Sequence, residues 1–119
     1  MTDKTIQRFD VGARLSEMAI HGGVAYLAGQ VPEDPDADIR VQTRQVLAAV
    51  DALLERAGSD KTRILMAQIF IADLADFAGM NEVWDAWVPA GHAPPRATVQ
   101  AALANKGWRV EMVMTAAVG

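Results

Sequence analysis

"RILMAQIFIAD", residues 63–73, is the stretch on which the fold turns. Its Ile, Phe and Leu side chains favour an extended backbone, and they fall on both alternations of a strand, so the run reads as a strand buried on both faces. Such a strand belongs inside a sheet, with a layer over each face. Downstream, "FAGMNEVWDAWV" (77–88) sets Phe77, Met80, Trp84 and Trp87 on one helical stripe, with Asp76 placed to cap the start and Pro89 to end it. Upstream, Val46, Val50, Leu53, Leu54 and Ala57 follow helical spacing and predict a long helix over about 38–57, closed by Gly58 as a left-handed cap. Each helix has one apolar stripe to bury.

Farther out, "SEMAIHGGVAYLAGQV" (16–31) holds two short strand-like runs around Gly22-Gly23, a dipeptide made for a tight hairpin, and "TIQRFDV" (5–11) adds a further strand at the start. "PEDPDAD" (32–38) is an acidic turn before the first helix. The last third reads as two strands, "RATVQAAL" (96–103) and "WRVEMVMTAAV" (108–118), joined by "ANKG" as a hairpin loop. Alternation puts Arg96, Thr98 and Gln100 on one face of the first strand, and Arg109, Glu111, Val113 and Thr115 on one face of the second. A turn at Asn105-Lys106 would pair Arg96 with Thr115 and Gln100 with Glu111. Both polar sets would then share a face, with Arg96 and Glu111 about 13 Å apart along the strands at about 3.3 Å per residue.

The order ββ, α, β, α, ββ predicts an α+β fold, a mixed sheet with both helices on one face. Residues 64–72 are apolar on the other face too, so subunits are expected to pack through it about a closed symmetry axis.

At 119 residues the chain is expected to form a single domain, 1–119. Eleven Lys and Arg stand against 15 Asp and Glu, a net charge of −4, which disfavours nucleic acid as a partner. The absence of cysteine excludes disulfides, thiolate metal sites and thiol nucleophiles. No stretch is apolar for the roughly 18 residues of a membrane span, and nothing resembles a signal peptide, so a cytoplasmic protein without a membrane partner is expected. His21 and His92 lack metal-pair spacing, and no metal is expected.

Pro94 and Pro95 fix φ and stiffen the approach to Arg96. A guanidinium held there can receive a carboxylate, or it can be a solvated strand-end charge. Taken together, "YLAGQVPED", "IFIADLADFAGMNEVWDAW" and "PPRATVQAAL…WRVEMVMTAAV" resemble the reactive intermediate deaminase (Rid, YjgF, endoribonuclease L-PSP-like) family in order along essentially the whole chain, and "ARLSEMAIHGG" with "WDAWVPAGHAPPRATVQA" is most similar to its YoaB-type branch. The resemblance implies a chorismate-mutase-like protomer, a homotrimer with clefts between subunits, no cofactor, and hydrolysis of 2-imino or enamine acids to 2-oxo acids and ammonia.

Carried over position by position, it implies that Arg96 clamps the substrate carboxylate, that Glu111 orients the attacking water, and that Gly29, Asn81 and Thr98 line the pocket. An ion pair with Arg109 or Arg96 is the alternative role for Glu111. Two positions depart from the family pattern: Leu15 stands where a tyrosine is common and Ala28 where a serine is frequent. A non-catalytic binder of small carboxylates or 2-oxo acids is the second reading, and a ribonuclease a more distant third.

Overall fold

Gly22 and Gly23 both adopt positive φ, 59° and 78°, in the computed structural model, which describes residues 5–119. That conformation suits a two-residue hairpin turn with a right-handed strand twist. It joins β2 (Met18–His21) to β3 (Val24–Leu27), and β1 (Gln7–Phe9) pairs antiparallel with β2 outside them. The chain continues through α1 (Ile39–Arg56), β4 (Ile64–Ile71), α2 (Phe77–Trp87), β5 (Arg96–Gln100) and β6 (Val110–Ala117). All six strands form one mixed sheet in the order β1-β2-β3-β6-β4-β5. The chain is thus α+β, as expected.

Both ends of α1 follow from local chemistry. Asp38 accepts a hydrogen bond from the Val41 amide at 2.9 Å, and Gly58, at φ 73°, lets Ser59 N–H reach back to Leu54 O and Gly58 N–H to Glu55 O. The start of α2 differs from expectation. Asp76 makes no capping bond; Asp73 instead accepts from the Ala75 amide in a single 3₁₀ turn before the helix. Asp76 is engaged elsewhere, its Oδ2 accepting from Arg109 Nη1 at 3.1 Å.

The core lies between the helices and one face of the sheet. Val46, Leu47, Val50 and Leu54 of α1 and Met80 and Trp84 of α2 pack with Ala25, Ile69, Ile71, Met112 and Met114. The other face is uncovered within the protomer. Ala67, Ile69 and Ile71 of β4 are buried, whereas Met66 and Gln68 are exposed and Phe70 is half-buried, so β4 is covered on one side and not on two. Its second set of apolar side chains is real, but among the described residues no element covers them. Among the described residues no helix is long and apolar enough to cross a membrane.

The largest departure concerns the last two strands. They are not a hairpin. β4 lies between them, parallel to β5 and antiparallel to β6, so Arg96 aligns with Ala67 and Glu111 with Phe70. A nine-residue connection, 101–109, carries the chain past the end of β4. Gln42, fully buried on α1, fastens it: Nε2 donates to Gly107 O (2.8 Å), Asp34 O and Ala37 O, and Oε1 accepts from Arg109 N–H at 2.7 Å. Replacing the buried Gln42 with Leu removes the partner of these backbone groups, and should cost about 2–4 kcal/mol. Urea unfolding should show a lowered midpoint with an unchanged slope, and an unchanged midpoint would mean that water replaces the side chain without loss.

Candidate active site

Arg96 is the first residue of β5, and Pro95 is already tied to the sheet, its carbonyl accepting from Ala67 N–H at 3.0 Å. Since Arg96 is aligned with the buried Ala67, its side chain leaves the sheet on the helix side. There the guanidinium carbon stands 5.2 Å from the centroid of the Trp84 ring on α2. Arg96 has no carboxylate partner among the described residues. The tryptophan holds the cation by its ring face and leaves the guanidinium edges available.

Two further predicted positions lie on this side. Thr98, two residues along β5, shares the face of Arg96, and Asn81 is one helical turn before Trp84. The Thr98 hydroxyl and the Asn81 Oδ1 are both buried without a hydrogen-bond partner. Buried polar atoms are normally paired, and each unpaired one costs about 1–3 kcal/mol. Their placement on the strand and the helix that hold an unpaired guanidinium is the pattern of a site prepared for a polar ligand.

Glu111 lies elsewhere. It aligns with Phe70, on the opposite parity from Ile69 and Ile71, and so projects from the uncovered face. The shared face expected for Arg96 and Glu111 is therefore wrong, because it assumed direct pairing of β5 with β6. With β4 between them, the two residues are two strands apart and three residues out of level, about 14 Å between Cα positions, with the sheet separating their side chains. On the open face Glu111 is in line with Phe70 and Val99, and Tyr26, Thr115 and Met66 form a parallel row. Neither suggested ion pair forms: Arg109 is with Asp76, and Arg96 faces Trp84. Gly29 does meet Glu111. A Cβ built on Gly29 would lie 2.0 Å from Glu111 Oε2, so the glycine makes room for the carboxylate.

The predicted residues thus divide into two half-sites, Arg96, Thr98 and Asn81 on the helix side and Glu111 with Gly29 on the open side. Trp84 is the member that sequence reading missed; its place in the apolar stripe gave no sign that a cation would lie over it. His21 is exposed at the end of β2, and His92 sits in a loop with Nδ1 3.0 Å from Ala90 O.

The family model described as endoribonuclease L-PSP matches residues 5–118. The chain belongs to this family. Within it, RutC family protein YoaB of Escherichia coli is 54% identical over 114 residues, which cover 96% of this chain and 99% of that one. Among solved structures, a member of the YjgF family from Neisseria meningitidis is 44% identical with a TM-score of 0.93, covering 97% of this chain and 96% of its own. A Pseudomonas aeruginosa protein is 48% identical with a TM-score of 0.94, over 97% and 100%. The resemblance to the YjgF family and its YoaB-type branch thus holds, and the six-stranded sheet with its two helices is the family's fold.

The approach of Gly29 to Glu111 is open to test. In Gly29→Ala the atom to be displaced is the tip of a flexible side chain, so unfolding free energy should change by no more than about 1 kcal/mol while the carboxylate moves. Thermal melts should show stability kept while the NMR resonance of the Glu111 side-chain carboxyl moves; a lowered melt with that resonance unmoved would mean that the glycine serves packing alone.

Proposed function

We propose that this member of the family hydrolyses reactive 2-imino and enamine acids to 2-oxo acids and ammonia, without a cofactor, in clefts between the subunits of a homotrimer. The observation that carries the reading is the unpaired Arg96 guanidinium on Trp84, in the company of two buried polar atoms without partners. Arg96 binds the substrate carboxylate through paired, charge-assisted hydrogen bonds. Thr98 and Asn81 complete the pocket beside it. Glu111 takes a proton from water as its oxygen attacks the carbon of the protonated imine, giving a carbinolamine; it returns that proton to nitrogen, and as the C–N bond breaks and ammonia leaves the hydroxyl closes to the 2-oxo carbonyl and gives its proton back to Glu111.

The separation of Arg96 and Glu111 by the sheet supports a composite site. A substrate held by Arg96 of one protomer is beyond reach of that protomer's own Glu111, and the apolar open face gives a second copy a surface to cover. Light scattering at micromolar concentration should return a mass near three times that of one chain; a monomer would remove the composite cleft. Mixing Arg96→Ala with Glu111→Gln protomers should restore part of the activity that each homogeneous variant lacks, since some clefts then draw both residues from unsubstituted copies.

A ribonuclease reading has less support, because a net charge of −4 and a single guanidinium offer little to a phosphate backbone. The binder reading is separated by kinetics. Arg96→Ala should abolish binding of pyruvate or 2-oxobutanoate in calorimetry, and Arg96→Lys should restore only part, since a point charge lacks the paired geometry. Glu111→Gln should keep that binding and slow imine hydrolysis by about 10²- to 10⁴-fold. The assay couples an amino-acid oxidase to the protein and follows imine decay against the spontaneous rate. Unaccelerated decay with oxo-acid binding intact would leave a binding protein and no deaminase.

A further inference from the structure

We propose that the groove between α1 and α2 is a second binding site, for a small monoanion with a flat apolar body, such as an arylacetate. None of the half-site residues lines it. The cavity is about 320 Å³, the scale of small-molecule pockets. Ala48 of α1 and Ala86 and Trp87 of α2 supply its accessible apolar surface, the buried Leu47 and Val83 lie beneath it, and Arg44, Lys61 and Asp51 are its charged members.

The hydrogen bonding fixes the sign of the ligand. Asp51 is already engaged, its Oδ2 accepting from Trp87 Nε1–H at 3.0 Å, which holds the indole in place. Lys61 Nζ lies 5.3 Å from the centroid of the same ring. Glu82, a carboxylate that α2 presents to α1, is held by Arg40 at 2.6 Å. Arg44, one turn after Arg40, is left with no carboxylate among the described residues. Two cations against one committed carboxylate give the groove a positive balance, although the chain as a whole is at −4. A neutral apolar ligand would leave Arg44 unanswered, and a cation would meet like charge. An aryl carboxylate lays its ring against Trp87, Ala48 and Ala86 and turns its carboxylate to Arg44, with Lys61 at the other rim.

The test is run in the Arg96→Ala protein, so that the proposed active site does not contribute. Phenylacetate is titrated and followed by calorimetry and by the Trp87 indole N–H resonance. Saturable binding that moves this resonance is expected, with affinity lowered at least tenfold by Arg44→Glu and at least threefold when 2-phenylethanol, the neutral counterpart, replaces phenylacetate. Arg44 is exposed on α1, and circular dichroism of the Arg44→Glu protein should match that of its parent. No saturable binding in the Arg96→Ala background would overturn the proposal, as would equal affinity in Arg44→Glu or equal affinity for the neutral compound. Deaminase activity does not enter the measurement, so its presence or absence in the wild type leaves the result unaffected.

Discussion

The parallel pairing of β4 with β5 is the constraint from which the rest of the arrangement follows. Two parallel neighbours cannot be joined by a tight turn, so the chain must leave β4, cross one face of the sheet and return, and α2 is that crossing. The crossing puts Trp84 beneath the first residue of β5. It also leaves β5 as an edge strand, with β6 obliged to enter on the far side of β4. One pairing choice therefore sets the surroundings of Arg96 and carries Glu111 to the opposite face.

An inserted strand requires a long return, and long returns need anchorage. Between Gln100 and Val110 the chain gains only a few backbone bonds of its own, such as Trp108 N–H to Asn105 O. Gln42 supplies what is missing. Its amide can donate to carbonyls and accept from an N–H at once, and it does both, joining the acidic loop before α1 to the loop before β6. Gly107 complements it, passing so close to Pro35 that a Cβ would lie 2.5 Å from the proline carbonyl oxygen. The start of β6, and with it the height of Glu111 on the sheet, is thus fixed from α1.

What could be read from the sequence was whatever local chemistry decides. Gly22-Gly23 demands its turn, Gly58 closes α1, and alternation sorts Arg96 with Thr98 and Glu111 with Thr115. The adjacency of β5 and β6 was misread because alternation says which residues share a face of one strand and nothing about which strand lies beside it. "ANKG" fits a hairpin loop well; that β4 separates the strands is a nonlocal outcome with no local mark. The expected cap of α2 by Asp76 failed for a similar reason: Arg109, 33 residues away, claims Asp76, and Asp73 accepts from the Ala75 amide instead. For the proposed site, residue identities came from family resemblance, while the role of Trp84 and the division into two half-sites needed the packed sheet.

That division gives a physical sense to the two positions where the chain departs from its family's habits. Neither Leu15 nor Ala28 can donate a hydrogen bond from its side chain, and Leu15 is more than half exposed beside the exposed Arg14. Under the proposed chemistry, neither change touches the pairing of a carboxylate with Arg96 or the clearance that Gly29 gives Glu111. The lost hydroxyls would instead have served the remainder of the substrate, so their replacement by apolar groups shifts preference toward substrates whose side chains have no hydrogen bonds to make. An apolar pocket gains from added carbon, yet a missing methylene in such a pocket costs only about 1–3 kcal/mol. The expected outcome is breadth: a cleft strict about the carboxylate and the imine carbon, and tolerant of the aliphatic chain beyond them.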